Sequence, residues 1–120
     1  MLRLLILTTA AASLRNYGIT TAATMAIRSV DFEVFGQVQG VFFRKYTKLQ
    51  AEKLGLKGWC MNTSQGTVQG QIEGPLDNLH SMMQWLRSTG SPSCKIDNAI
   101  FKNEKEIGDY TFADFSIRKE

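Results

Sequence analysis

The chain has 120 residues, enough for one domain of ordinary size, and 43% of them are hydrophobic. Its formal net charge of +3 is set at one end: residues 1–30 hold Arg3, Arg15 and Arg28 and no acid, leaving 11 bases against 11 acids from Asp31 onward. A body without net charge argues against nucleic-acid binding, which needs uncompensated cations to displace counterions. No segment is apolar for long enough to cross a membrane as a helix, and two cysteines with one histidine, His80, supply neither a disulfide framework nor a zinc site.

Residues 1–27 read as a leader or extension and residues 28–120 as the folded domain. The leader is rich in Ala, Thr and Leu, carries arginines and lacks acids, the composition of a mitochondrial transit peptide. The brief apolar run Leu4–Leu7 is the weaker mark of a secretory signal. Translation from Met25 would remove the leader and give a cytoplasmic form. Cys60 and Cys94 are expected reduced, the first buried in a strand and the second an exposed loop thiol.

Ser29–Phe35 alternates, with Val30, Phe32 and Val34 on one side and Asp31 and Glu33 on the other, the pattern of a half-buried strand. A loop follows over Gly36–Val41. The spacing of Phe43, Thr47, Ala51 and Leu54 predicts a helix from about Phe43 to Leu54, ended by Gly55. Gly58–Asn62 and Thr67–Glu73 read as two strands joined by the turn Thr63–Gly66, a hairpin. Gly74-Pro75 interrupts the chain, and Leu76, Leu79, Met83 and Leu86 mark a second helix over Leu76–Ser88. After the loop Gly90–Ser93, short strands are expected at Ala99–Lys102 and Phe112–Arg118.

The order is β-α-β-β-α-β with a short terminal strand. Each clear strand has one apolar face, so both helices should cover one side of an antiparallel sheet, a two-layer ferredoxin-like α+β sandwich. That topology hosts many functions. Base-stacking RNA modules place aromatics on the open sheet face, whereas here that face is expected to carry Asp31, Glu33, Gln69, Gln71 and Glu73 and no aromatic. A nucleotide P-loop fails for want of a Gly-Lys-Ser/Thr sequence after Gly40. A cysteine phosphatase fails because neither cysteine opens a glycine loop.

Two motifs carry the chemistry. GQVQGVFFR, Gly36–Arg44, is a glycine-punctuated loop that delivers an arginine at a helix start. Backbone N–H groups of such a loop and of the first helical turn converge on an anion, and a guanidinium adds a planar fork that matches two phosphoryl oxygens. GWCMNTSQG, Gly58–Gly66, places the amide of Asn62 at the end of a neighbouring strand. A phosphate clamp with one neutral amide is a minimal hydrolase site. Taken singly, each feature has a plainer reading: a surface arginine at Arg44, and a turn starter at Asn62.

With both motifs in order and spacing, the chain resembles the acylphosphatase family over about residues 28–120. The pattern GxVQGVxFR is complete at Gly36–Arg44, and G-aromatic-x-x-N-x-x-x-G-x-V is complete at Gly58–Val68. The resemblance implies metal-free and cofactor-free hydrolysis of the carboxyl–phosphate bond of small acyl phosphates by a monomer. It implies that Gly36, Gln37, Val38, Gln39, Gly40, Val41, Phe42 and Phe43 lead to Arg44 as the phosphate-binding segment. Arg44 would bind the phosphoryl group and Asn62 would orient the attacking water, with Thr47 in support. Inorganic phosphate or sulfate would compete for the cradle. Gln37 and Met61 stand where members often carry a cation, which lowers the positive potential of the site and bears on substrate affinity.

The chemistry is consistent with these residues. An amide cannot act as an ordinary base near neutrality, but it can accept a hydrogen bond from water and hold it in line. That suffices where the leaving group is a carboxylate with a pKa of about 4, which needs no proton to depart. The second reading is a catalytically silent anion-binding or regulatory module that keeps the cradle. Phe42 and Phe43 are expected in the core, Trp59, Trp85 and Tyr46 in packing, and His80 in solvent.

Overall fold

The computed structural model describes residues 26–119. The leader expected over residues 1–27 therefore lies outside the described residues except for Ala26 and Ile27. The elements are β1 (Ile27–Gln37), α1 (Phe43–Lys53), β2 (Lys57–Asn62), β3 (Val68–Pro75), α2 (Leu76–Ser88), β4 (Lys95–Ile107) and β5 (Phe115–Arg118). They form one five-stranded sheet in the order β4-β1-β3-β2-β5. Both helices lie on the face to which Val30, Phe32, Val34, Val68 and Ile72 point. There they bury Phe43, Ala51, Leu79, Met82 and Leu86 in one cluster with Cys60 and Phe115. Burial of such side chains is the dominant stabilising contribution, at about 1.5–3 kcal/mol for each large one.

The expected sandwich is present, with a mixed sheet in place of a wholly antiparallel one. β1, β3, β4 and β2 pair antiparallel, but β5 pairs parallel to β2, Gly58 with Phe115 through Met61 with Arg118. The reason is topological: the chain leaves β4 at one edge and crosses to the other edge of the sheet. β5 is also shorter than the expected Phe112–Arg118, because residues 112–114 belong to that crossing. β4 is much longer than Ala99–Lys102. It is an edge strand with mostly exposed side chains, so it offers little of the alternation that marks a half-buried strand. Its pairing with β1 slips where Asn103 takes φ 59°, a bulge that twists an edge.

Three further placements differ from expectation. Glu73 faces the side opposite the helices but is buried, because the crossing covers it: its Oε1 accepts the backbone N–H groups of Thr111 (2.8 Å) and Phe112 (3.2 Å). Trp59 projects on the same side of the sheet as its register partner Gln71. That face therefore does carry an aromatic, with the Arg118 guanidinium 4.4 Å from the ring centroid. Leu76 opens α2 at 40% exposure while Met82 is buried, so the apolar stripe of α2 is rotated from the one read off the sequence.

Candidate active site

The segment between β1 and α1 is shaped by close approaches. Gly36 has φ 129°, and a Cβ there would stand 2.1 Å from the carbonyl oxygen of Lys95 on β4, so no side chain is possible. Val38 is buried and pins the loop to the core. The Gln39 side chain donates from Nε2 to the carbonyl oxygens of both Thr63 and Thr67, 2.9 Å each. It thereby ties the loop to the hairpin that begins just after Asn62. Gly40 turns the chain with φ 76°, a value glycine adopts without penalty.

Phe42 then stands at the N-terminal boundary of α1 with φ 59° and ψ 25°, and no side chain caps the helix. The first turn of α1 also carries no acid. The first N–H groups of a helix have no intrahelical partner, and they carry the positive end of the helix dipole. An uncapped, acid-free start leaves that potential unneutralised. Phe43 fixes the direction of the helix: it is buried and its ring lies 5.8 Å from that of Trp85.

Arg44, the next residue, projects from this first turn into a cavity of about 320 Å³. The cavity is lined by Val38, Gly40, Phe42, Phe43, Arg44, Lys45, Asn62 and Ile117. Among the described residues no carboxylate pairs with Arg44, so its charge is uncommitted. Asn62 enters from the end of β2, and its Oδ1 is shielded and accepts no hydrogen bond. A buried acceptor left without a partner costs about 1–3 kcal/mol. The hairpin behind it is rigid: the Thr63 and Thr67 hydroxyls share a 2.6 Å hydrogen bond, and Thr67 Oγ1 donates to Glu33 Oε2 at 2.6 Å.

The structure thus brings together Val38, Gly40, Phe42, Phe43, Arg44 and Asn62. Gly36, Gln37, Gln39, Val41 and Thr47 do not line the cavity. Gly36 and Gln39 shape the loop, and Gln37 closes β1 opposite Lys95. Thr47 lies buried one turn into α1, its hydroxyl donating to the carbonyl of Phe43 at 2.7 Å. Phe42 is 71% exposed, against its expected place in the core. Lys45 and Ile117 line the cavity without having been singled out. Lys45 adjoins the motif, but nothing local signals Ile117, which arrives only through the parallel docking of β5 on β2. Lys48 helps to hold it there, donating from Nζ to the carbonyl of Phe115 at 3.1 Å.

No thiol competes for the chemistry. Burial pushes the Cys60 thiol up to about 12, against the opposing pull of the Arg44 and Lys48 charges, so it stays protonated near neutrality. Among the described residues no cluster of His, Cys, Asp and Glu could hold a metal ion. A larger depression of about 440 Å³ on the open sheet face is lined by Asp31, Glu33, Trp59, Gln69 and Gln71 among others. Its carboxylates make it a poor receptor for an anion.

Comparison with known proteins shows the family. The profile of the Acylphosphatase family matches residues 30–117. The chain is 55% identical over 98 residues to Acylphosphatase-2 of Gallus gallus, covering 82% of this chain and 95% of that protein. It is 56% identical over 91 residues to Acylphosphatase-1 of Mus musculus, covering 76% and 92%. Among solved structures, the crystal structure of acylphosphatase from Bacillus subtilis superposes with a TM-score of 0.70 at 32% identity, covering 76% of this chain and 98% of that one.

Proposed function

The chain belongs to the acylphosphatase family, and from that premise we propose how its own residues carry out the hydrolysis of an acyl phosphate. The protein is a hydrolase acting on the carboxyl–phosphate bond of small acyl phosphates. The phosphoryl group sits in the loop Val38–Phe43, held by backbone N–H groups of the loop and of the first turn of α1. Arg44 spans two of its oxygens. Asn62 accepts a hydrogen bond from a water molecule and holds it in line with the bond to be broken. The water oxygen forms a bond to phosphorus as the phosphorus–acyl oxygen bond breaks, and the carboxylate departs with the electron pair. The water gives one proton to a phosphoryl oxygen, so inorganic phosphate and a free carboxylate result. Phosphoryl transfer of this kind requires positioning and charge stabilisation more than covalent help.

The observation that carries this reading is the meeting, in one cavity, of the Asn62 side chain and an arginine that no carboxylate pairs with, at an uncapped helix start. The reaction needs no Lewis acid, since the leaving group is already a stable anion. Phosphate release from acetyl or benzoyl phosphate by the full chain tests it. Turnover is expected to survive EDTA and to be inhibited competitively by inorganic phosphate and by sulfate. Phosphate binding without turnover would leave only a silent anion-binding module.

We further propose a monomer that engages neither nucleic acid nor membrane. The body carries no net charge, and among the described residues no helix is long and apolar enough to cross a membrane. Sedimentation at micromolar concentration would contradict the first point by showing a dimer. The acid-free leader with Arg3 and Arg15 supports mitochondrial import, and a chain begun at Met25 is expected in the cytoplasm. Imaging of both forms tagged at the C-terminus checks this, and identical diffuse distributions would refute it.

A further inference from the structure

A separate cavity of about 480 Å³ opens on the helical side of the molecule, between α1 and the segment that follows α2. Among the described residues it shares no lining side chain with the cavity of Arg44 and Asn62. Phe43 stands between the two: it lines the first, and its ring lies 5.8 Å from that of Trp85, which lines the second. The walls are apolar, with Tyr46 and Leu49 on α1, Trp85 on α2 and Pro92 beyond it. Tyr46 and Leu49 lie outside the stripe that α1 buries, Phe43, Thr47 and Ala51, and are 36% and 49% exposed. Half-exposed apolar side chains add little to the fold, and several of them around one concavity, with a few polar groups among them, are the make-up of a ligand site.

The polar groups decide the chemistry of the occupant. Among the described residues Lys53 is the one cation in the lining, and no carboxylate lines it. Lys53 belongs to no ion pair among the described residues, whereas its neighbour Glu52 is held by Lys48 at 2.7 Å. The last carbonyls of α1 offer nothing to a donor, since Gln50, Ala51 and Glu52 already accept from Leu54, Leu56 and Gly55. On the facing loop Gly90 donates to the carbonyl of Trp85 and Cys94 to that of Ser91. The Ser91 hydroxyl is left over: the residue is 2% exposed and its Oγ has no partner among the described residues. A hydroxyl can donate to an oxygen, and a free ammonium favours an anion. We propose that this cavity binds a small amphipathic organic acid, with a hydrocarbon body against Tyr46, Leu49 and Trp85, a carboxylate at Lys53 and an oxygen that accepts from Ser91.

The test is a titration of the full chain with 4-phenylbutyrate, 4-phenylbutanol and 4-phenylbutylamine, which share a body and differ in charge. Excess inorganic phosphate is present throughout, to compete at any bare anion site. Trp85 and Trp59 are the two tryptophans of the chain, and Trp59 lines the depression of the open sheet face. Their indole N–H resonances therefore report the two places separately, and Trp59→Phe assigns them. The Trp85 resonance is expected to move and that of Trp59 to stay. The carboxylate should bind about five-fold tighter than the alcohol, as an accessible ion pair contributes, and the amine should bind most weakly. Lys53→Gln should bring the carboxylate to the level of the alcohol, and Ser91→Ala should weaken both. Leu49→Gln should weaken all three probes by about five-fold. Cys94, a partly exposed thiol in the same lining, should be alkylated by iodoacetamide more slowly with the carboxylate bound. Movement of Trp59 alone, no saturable shift at Trp85, loss of the shift in phosphate, or an amine that binds as tightly as the acid would overturn the site. So would unchanged affinity in both Lys53→Gln and Leu49→Gln, or a dimer in sedimentation that buries Trp85 against a second copy. None of these readouts involves turnover, so their failure leaves the function proposed above untouched.

Discussion

A guanidinium can meet two phosphoryl oxygens in one plane, and an ammonium cannot. Arg44 is the group placed to do this, on the first turn of an uncapped helix. Arg44→Ala is expected to lower kcat/KM by about 10² to 10³ and to abolish inhibition by phosphate. Arg44→Lys should fail nearly as badly, and steady-state kinetics on acetyl phosphate checks both. The role proposed for Asn62 serves a different step. Asn62→Ala should reduce kcat by on the order of 10² and leave the inhibition constant for phosphate nearly unchanged, because the role we propose for the amide is to hold water and not the phosphoryl group. Collapse of phosphate affinity with kcat preserved would exchange the two roles. That Arg44 and Asn62 would meet in one cavity was legible because their positions within two long motifs are local facts of sequence. Ile117 and the exposure of Phe42 were not, since each depends on a tertiary contact or a backbone angle that residue type does not announce.

At the scale of elements, the site depends on β5 and on the crossing that delivers it. Glu73 accepts two backbone N–H groups of that crossing while almost fully buried. Removing it leaves both donors unpaired, so Glu73→Ala is expected to destabilise the fold by about 2–3 kcal/mol, read from the urea midpoint. A substitution with no effect would mean that water replaces the carboxylate. A weaker link joins β4 to α2 and β1: Glu104 accepts from His80 (2.9 Å) and contacts Arg28 (3.4 Å). The hydrogen bond from His80, followed by the interaction with Arg28, holds the Glu104 carboxyl below its ordinary value. A depressed carboxylate contributes stability above its unfolded pKa, near 4.5, and loses it as the pH falls through the lower folded value. Glu104→Gln should therefore cost less than about 1 kcal/mol near neutrality, as expected for a solvent-accessible pair. The difference should vanish in acid, as thermal melts across pH would show. Strong periodicity made β1, β3 and α1 readable, and a largely solvated edge strand hid most of β4. The parallel edge was unreadable because strand order is a property of the whole chain.

For the whole molecule, the sheet's covered face supplies stability and one end of it supplies chemistry. β1 delivers the loop, β2 delivers Asn62, and the Gln39 clip sets the distance between them. The opposite face keeps its carboxylates, which suits a protein whose anionic substrate must find one site only. The identity to Acylphosphatase-2 of Gallus gallus and Acylphosphatase-1 of Mus musculus spans nearly the full length of each. In the mechanism we propose, water held by Asn62 attacks phosphorus while Arg44 holds the phosphoryl group. Hydrolysis of acetyl phosphate in oxygen-18 water, followed by mass spectrometry of both products, tests it most directly. One label is expected in inorganic phosphate and none in acetate; label in acetate would place the attack at the carbonyl carbon and contradict this mechanism.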